Sequence, residues 1–93
     1  MKESDIDLKN WDIIKSDIFE ISNNLDESAL SEDLFQIKNN NFIVDSGWYE
    51  GINSFITYLI KDDNWENPVI KIISKTKENC LDAIAFCIKN TPV

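Results

Sequence analysis

From Ile6 to Leu25 the apolar residues Trp11, Ile14, Ile18, Ile21 and Leu25 recur every three or four positions, a spacing that lays a stripe along one face of a helix. Ser4 or Asp5 offers an N-cap and Asn23-Asn24 an end. Ile13 and Phe19 fall beside the stripe, so the predicted helix has either a wide buried face or some apolar surface for a partner. Two short β-favourable runs follow, Leu34 to Ile37 and Asn41 to Val44, separated by an Asn cluster that tolerates positive φ, and they read as a hairpin. Ser46-Gly47 breaks the second run, Trp48-Tyr49 follows, and Gly51 punctuates the chain again. The longest predicted strand is Asn53 to Ile60. It points Phe55, Thr57 and Leu59 one way and Ile56, Tyr58 and Ile60 the other, so both faces are apolar and a central place in a sheet is expected. A last strand, Val69 to Ile73, has Pro68 at its entrance, where a missing N–H is tolerable. The chain closes on a helix from about Lys77 to Lys89, with Leu81, Ile84, Ala85 and Ile88 as its buried stripe. Thr76 is the N-cap, Glu78 lies in the first turn and Lys89 in the last, as the helix dipole favours.

The order helix, four strands, helix, with short connections, predicts an α+β fold: an N-terminal helix, an antiparallel sheet of about four strands, and a C-terminal helix packed on the sheet. No Pro/Gly/Ser-rich linker or internal repeat divides the 93 residues, so one domain spanning 1–93 is expected. The polar opening residues do not resemble a signal peptide, and no apolar run approaches the ~20 residues that span a bilayer. The expectation is a cytoplasmic protein. Cys80 and Cys87 sit seven apart on the predicted closing helix, about 10 Å apart at ~1.5 Å per residue, too far to bridge. They read as small apolar helix residues in a reducing compartment.

Charge narrows the functional classes. Seventeen acids against nine bases give a net charge of −8. The part ending at Ser46 has eleven acids and four lysines, net −7, and the part beginning at Gly47 has six and five, net −1. Such a field argues against direct nucleic-acid or anionic-membrane binding and in favour of a basic partner.

The chemistry of sites narrows them further. Without histidine, Ser-His-Asp and Cys-His catalysis are excluded, as are zinc sites that rely on imidazole. Two cysteines on one helix cannot make a Cys-only zinc site within the chain, and two glycines supply no phosphate-cradling loop. The stretch Asp62 to Glu66 has the acids of a calcium loop, but Asn67-Pro68 stands where that loop needs glycine and Ile73 where it needs its glutamate. No cofactor is expected, and an enzyme is not.

What remains is a binding surface. Trp48, Tyr49 and Glu50 lie between two glycines, and Asp62, Asp63, Trp65 and Glu66 lie in the turn after the long strand, so two aromatic–acidic clusters are expected in connections. Trp and Tyr anchor well in a partner's clefts, and neighbouring carboxylates steer encounter. The alternative for these aromatics is to fold back over the edge of the core. Asp26, Glu27, Glu32 and Asp33, four acids without a base in the run from Asp26 to Asp33, are the candidates for electrostatic steering; their alternative is a solvated connection.

Gly47-Trp48-Tyr49, then a long strand, then Asp63-Asn64-Trp65-Glu66-Asn67-Pro68, then a strand and a closing amphipathic helix, resembles the small immunity proteins of bacterial polymorphic toxin systems, those of contact-dependent growth inhibition in particular. The resemblance covers roughly Gly47 to Asn90 and is one of layout. It implies a protein that binds one cognate toxin domain, often a nuclease, and blocks its active site or substrate path inside the producing cell. The charge leads independently to the same kind of partner, since a nuclease needs a basic groove that an acidic inhibitor can occupy. Two other readings stay open: a non-inhibitory adaptor or regulator, and a nucleic-acid mimic that inhibits a restriction or CRISPR nuclease.

Overall fold

The computed structural model describes residues 6–21 and 30–92. The fold is α+β, a five-stranded antiparallel sheet in the order β1-β2-β3-β4-β5 with one helix, α1 (Lys77–Lys89), packed on one face. The strands are β1 (Asp12–Lys15), β2 (Phe35–Asn39), β3 (Phe42–Tyr49), β4 (Ser54–Lys61) and β5 (Ile70–Ser74).

The predicted N-terminal helix does not form. Its residues instead give the short edge strand β1 and a 3-10 turn, Asp17–Glu20. Between Trp11 and Ile21 only Lys15 and Glu20 are strong helix formers, and the β-branched pair Ile13-Ile14 with Asp12, Ser16 and Asp17 favours extended chain and turns. Ile18 and Ile21 are still buried, while Ile13 and Ile14 are 54% and 58% exposed. The proposed caps at Ser4, Asp5 and Asn23-Asn24, and the stripe's end at Leu25, lie outside the described residues.

β2 and β3 form the expected hairpin. The turn is two residues long, with Asn39 opposite Phe42 and Asn40 at φ 54°, a conformation asparagine tolerates. β3 does not end at Ser46-Gly47 but runs through to Tyr49, paired with β4 along its whole length from Phe42↔Lys61 to Tyr49↔Ser54. β4 lies between β3 and β5, and its alternation is as its sequence predicts: Phe55, Thr57 and Leu59 face α1, and Ile56, Tyr58 and Ile60 face away.

α1 matches its sequence signals closely. The Asn79 N–H donates to Thr76 Oγ1 at 3.1 Å, and the buried residues are Cys80, Leu81, Ala83, Ile84 and Cys87, with Ala85 and Ile88 half-buried. The helix joins Phe35, Ile37, Val44, Trp48, Phe55 and Leu59 in one core. One polar group lies within it. Ser46 Oγ sits 2.9 Å from Thr57 Oγ1 and 3.0 Å from Cys80 Sγ, all three side chains fully buried. Both thiols are free, and burial pushes their pKa values up, that of Cys87 to about 12, so they stay protonated. The Lys77 ammonium ties the start of α1 back to the N-terminal segment, donating to the Ile21 carbonyl at 2.6 Å and the Phe19 carbonyl at 3.3 Å.

Candidate functional site

The segment Ser31–Leu34 crosses over β3 as a strap. The Leu34 N–H donates to the Ser46 carbonyl at 3.2 Å, and the Trp48 N–H donates to the Ser31 carbonyl at 2.7 Å. Between those two bonds the Glu32 backbone lies directly on Gly47, so closely that a Cβ at Gly47 would overlap the Glu32 carbonyl. Gly47 is therefore a spacing residue for a backbone crossing, rather than the strand breaker its sequence context suggests.

The strap carries Glu32 to the end of β3, where Leu30, Ser31, Glu32, Trp48 and Glu50 line a pocket of about 240 Å³. Two carboxylates from segments 18 positions apart in sequence thus share one corner. Tyr49, half-buried, stands beside it. Burial first, then the charges of Tyr58, Asp45 and Glu32, push its phenol up to about 12. Asp33 is exposed next to the corner and accepts from Lys15 Nζ at 3.1 Å; that bond and the charge behind it hold the Lys15 ammonium above its usual range. Asp33 thus has a counter-charge beside it, which Lys15 shares with Asp17 at 3.7 Å. Asp26 and Glu27 lie outside the described residues.

The predicted residues after β4 form a separate place. Asp62 and Asp63, both at φ 56°, make a tight left-handed turn closed by the Asn64 N–H on the Lys61 carbonyl at 3.0 Å. Asp62 is further engaged with Asn41, whose side-chain amide donates to Oδ1 at 2.8 Å and whose carbonyl accepts from the Asp62 N–H at 2.8 Å. These two acids serve the turn. Trp65, 45% exposed, and Glu66, exposed, follow it. The full length of β4, about 23 Å at ~3.3 Å per residue, separates this turn from Tyr49 and Glu50, so the two aromatic–acidic clusters are two patches and not one site.

Trp48 also differs from the expectation that it occupies a connection. It lies in β3, 7% exposed, with its ring edge-on to Phe55 at 5.0 Å between centroids. Its face belongs to the core and only its margin reaches the pocket.

One residue went unnoticed in the sequence. Asp45, 9% exposed in the middle of β3, faces away from α1 and accepts from Gln36 Nε2 at 2.9 Å. A lone acid inside the apolar run Ile43-Val44-Asp45 was the available signal. Burial raises its pKa above 3.8, more than the Gln36 hydrogen bond lowers it. The folded state therefore holds the proton more tightly than the unfolded state does. Stability falls as pH rises from 3.8 through the raised value, and the ionised group remains destabilising above it. Asp45→Asn is expected to raise the thermal midpoint at pH 7, with the advantage shrinking as both proteins are melted at pH values approaching 4.

Among the described residues no three Cys, Asp or Glu side chains gather closely enough to hold a metal ion, and no helix is long and apolar enough to cross a membrane. Compared with family models, curated proteins and solved structures, the chain matches none.

Proposed function

We propose that this protein is an immunity protein: it binds a basic, nuclease-type toxin domain of a bacterial polymorphic toxin system one-to-one inside the producing cell, and blocks the toxin's active site or substrate path. The observation that carries the reading is the acidic corner. The strap and the end of β3 bring Glu32 and Glu50 to a single concave patch beside half-buried Tyr49, and a concave, acidic, aromatic-edged surface suits insertion of a basic side chain from a nucleic-acid-binding groove. The net charge of −8 extends the attraction beyond the contact and favours fast, salt-sensitive association.

The test is co-expression with the product of the adjacent open reading frame, scoring growth rescue and co-purification. A stable one-to-one complex is expected. Glu32→Lys combined with Glu50→Lys is expected to slow association on the order of tenfold to a hundredfold at low salt, to flatten its salt dependence and to abolish rescue. Absence of a complex, or a double variant that associates and rescues as the wild type does, overturns the reading.

A further inference from the structure

The two edges of the sheet differ. β1 is four residues long and carries a register shift between Ile13 and Lys15, which interrupts that edge. β5 pairs with β4 without a shift from Ile70 to Ser74, and among the described residues no strand lies beyond it. The register decides which of its backbone groups are left unpaired. Ser46 and Trp48 direct theirs to the strap, so Gly47 and Tyr49 direct theirs to β4; the backbone groups of Phe55, Thr57 and Leu59 then turn to β5, and those of Ser74, Ile72 and Ile70 turn back to them. The N–H and C=O groups of Lys71 and Ile73 point outward from the edge.

The side chains along this edge suit a second copy of the chain. Val69 at its entrance and Ile73 within it are 54% and 56% exposed, and Ile70 and Ile72 are half-buried. From Asn67 to Lys77 there are three lysines and no acid, so this edge is where the mutual repulsion of two chains of net charge −8 is weakest. A two-fold antiparallel pairing of β5 centred on Lys71 would set that lysine against itself, and one centred on Ile73 would set Lys71 against Lys75. The pairing centred on Ile72 avoids both. It sets Lys71 opposite Ile73 of the second copy, whose side chain the lysine stem can cover, and Ile72 opposite Ile72 on the α1 side. Each Lys71 and Ile73 so paired exchange both of their outward backbone hydrogen bonds.

We infer that β5 is a self-pairing edge: two copies of the chain join their sheets through antiparallel β5 strands centred on Ile72, as a closed two-fold dimer. The contact is one strand from each copy, smaller than a standard permanent interface, so the dimer is reversible. The strap meets β3 from the β2 side and β5 lies beyond β4, so the inference is independent of what binds the acidic corner.

Sedimentation equilibrium of the full chain at physiological salt tests it. A monomer–dimer equilibrium with a midpoint on the order of 10 to 100 μM is expected. Ile73→Lys, which sets like charges against Lys71 of the second copy in both symmetry-related pairs, is expected to weaken the dimer about tenfold or more. Ile73→Glu, which sets opposite charges there, is expected to stay within about threefold of the wild type. Both changes fall at an exposed position, so a cooperative melt persists in each. Ile72→Cys gives an independent reading. Opposed residues of a non-hydrogen-bonded pair lie about 4.5 Å apart at Cα, within disulfide reach, and the native thiols of Cys80 and Cys87 are buried, so oxidation is expected to yield one covalent dimer. A monomer at every concentration up to about 1 mM overturns the inference. So do equal effects of Ile73→Lys and Ile73→Glu, an Ile72→Cys chain that does not cross-link, and assemblies that grow beyond the dimer, which would mark a head-to-tail joining of β5 to β1.

Discussion

Gly47→Ala is expected to lower the free energy of unfolding by about 3 kcal/mol in urea titrations, an unusually large loss for the addition of one methyl group. The new Cβ would occupy the space of the Glu32 carbonyl, and the obstacle is backbone, which cannot rotate aside as a side chain does. Relief requires the strap to lift, which breaks the bonds from Leu34 N–H to the Ser46 carbonyl and from Trp48 N–H to the Ser31 carbonyl. Gly51 supplies the control. Nothing lies within 4 Å of a Cβ built there and its φ is not positive, so Gly51→Ala is expected to be neutral or to stabilise by up to about 1 kcal/mol. Equal effects at the two glycines would refute the strap crossing. Because the strap also carries Glu32, Gly47→Ala is expected to weaken partner binding without touching a charge.

Trp48→Ala is expected to cost about 3 to 5 kcal/mol, close to the whole stability of a domain this small. The ring is 7% exposed and packs edge-on against Phe55, itself fully buried, so truncation opens a cavity between β3, β4 and α1. Any loss of partner binding in that variant would follow from unfolding. Trp48→Phe keeps most of the apolar volume while removing the indole margin at the pocket. It is expected to retain a cooperative melt, and its affinity then reports the contact contribution of Trp48 alone. A cooperative, undiminished melt in Trp48→Ala would show that the ring does not belong to the core.

α1 was legible in the sequence because independent signals agreed there. The apolar spacing, the Thr76 cap, Glu78 in the first turn and Lys89 in the last all marked the same thirteen residues. Over Ile6 to Leu25 the spacing and the possible caps spoke for a helix, and the residue types between Trp11 and Ile21 spoke against it; β-branched and turn-favouring side chains gave an edge strand and a 3-10 turn. β4 was legible because alternation over eight residues leaves little freedom in which side chain faces where.

The acidic corner was half legible. Trp48, Tyr49 and Glu50 on one side and Glu32 and Asp33 on the other were singled out as separate groups. Their meeting depends on a strap held by backbone bonds and by a missing side chain at Gly47, and no local pattern encodes a contact between positions 32 and 47. Asp62 and Asp63 were read for their charge when their backbone conformation was the more important property.

The buried group of Ser46, Thr57 and Cys80 has a consequence for how uniquely the helix sits. An amphipathic helix on a purely aliphatic sheet can slip or rotate at small cost, since Leu, Ile and Val interchange their contacts with little directional preference. Hydroxyls and a thiol do not interchange in this way. Displacement of α1 by a single helical turn, roughly 5.4 Å, would carry the Cys80 thiol away from Ser46 and leave the two buried hydroxyls with only each other to bond and an apolar group above them. The trio therefore acts as a locating pin: it adds little to the depth of the native minimum and much to the height of its neighbours, which holds the whole sheet to one seating of its helix.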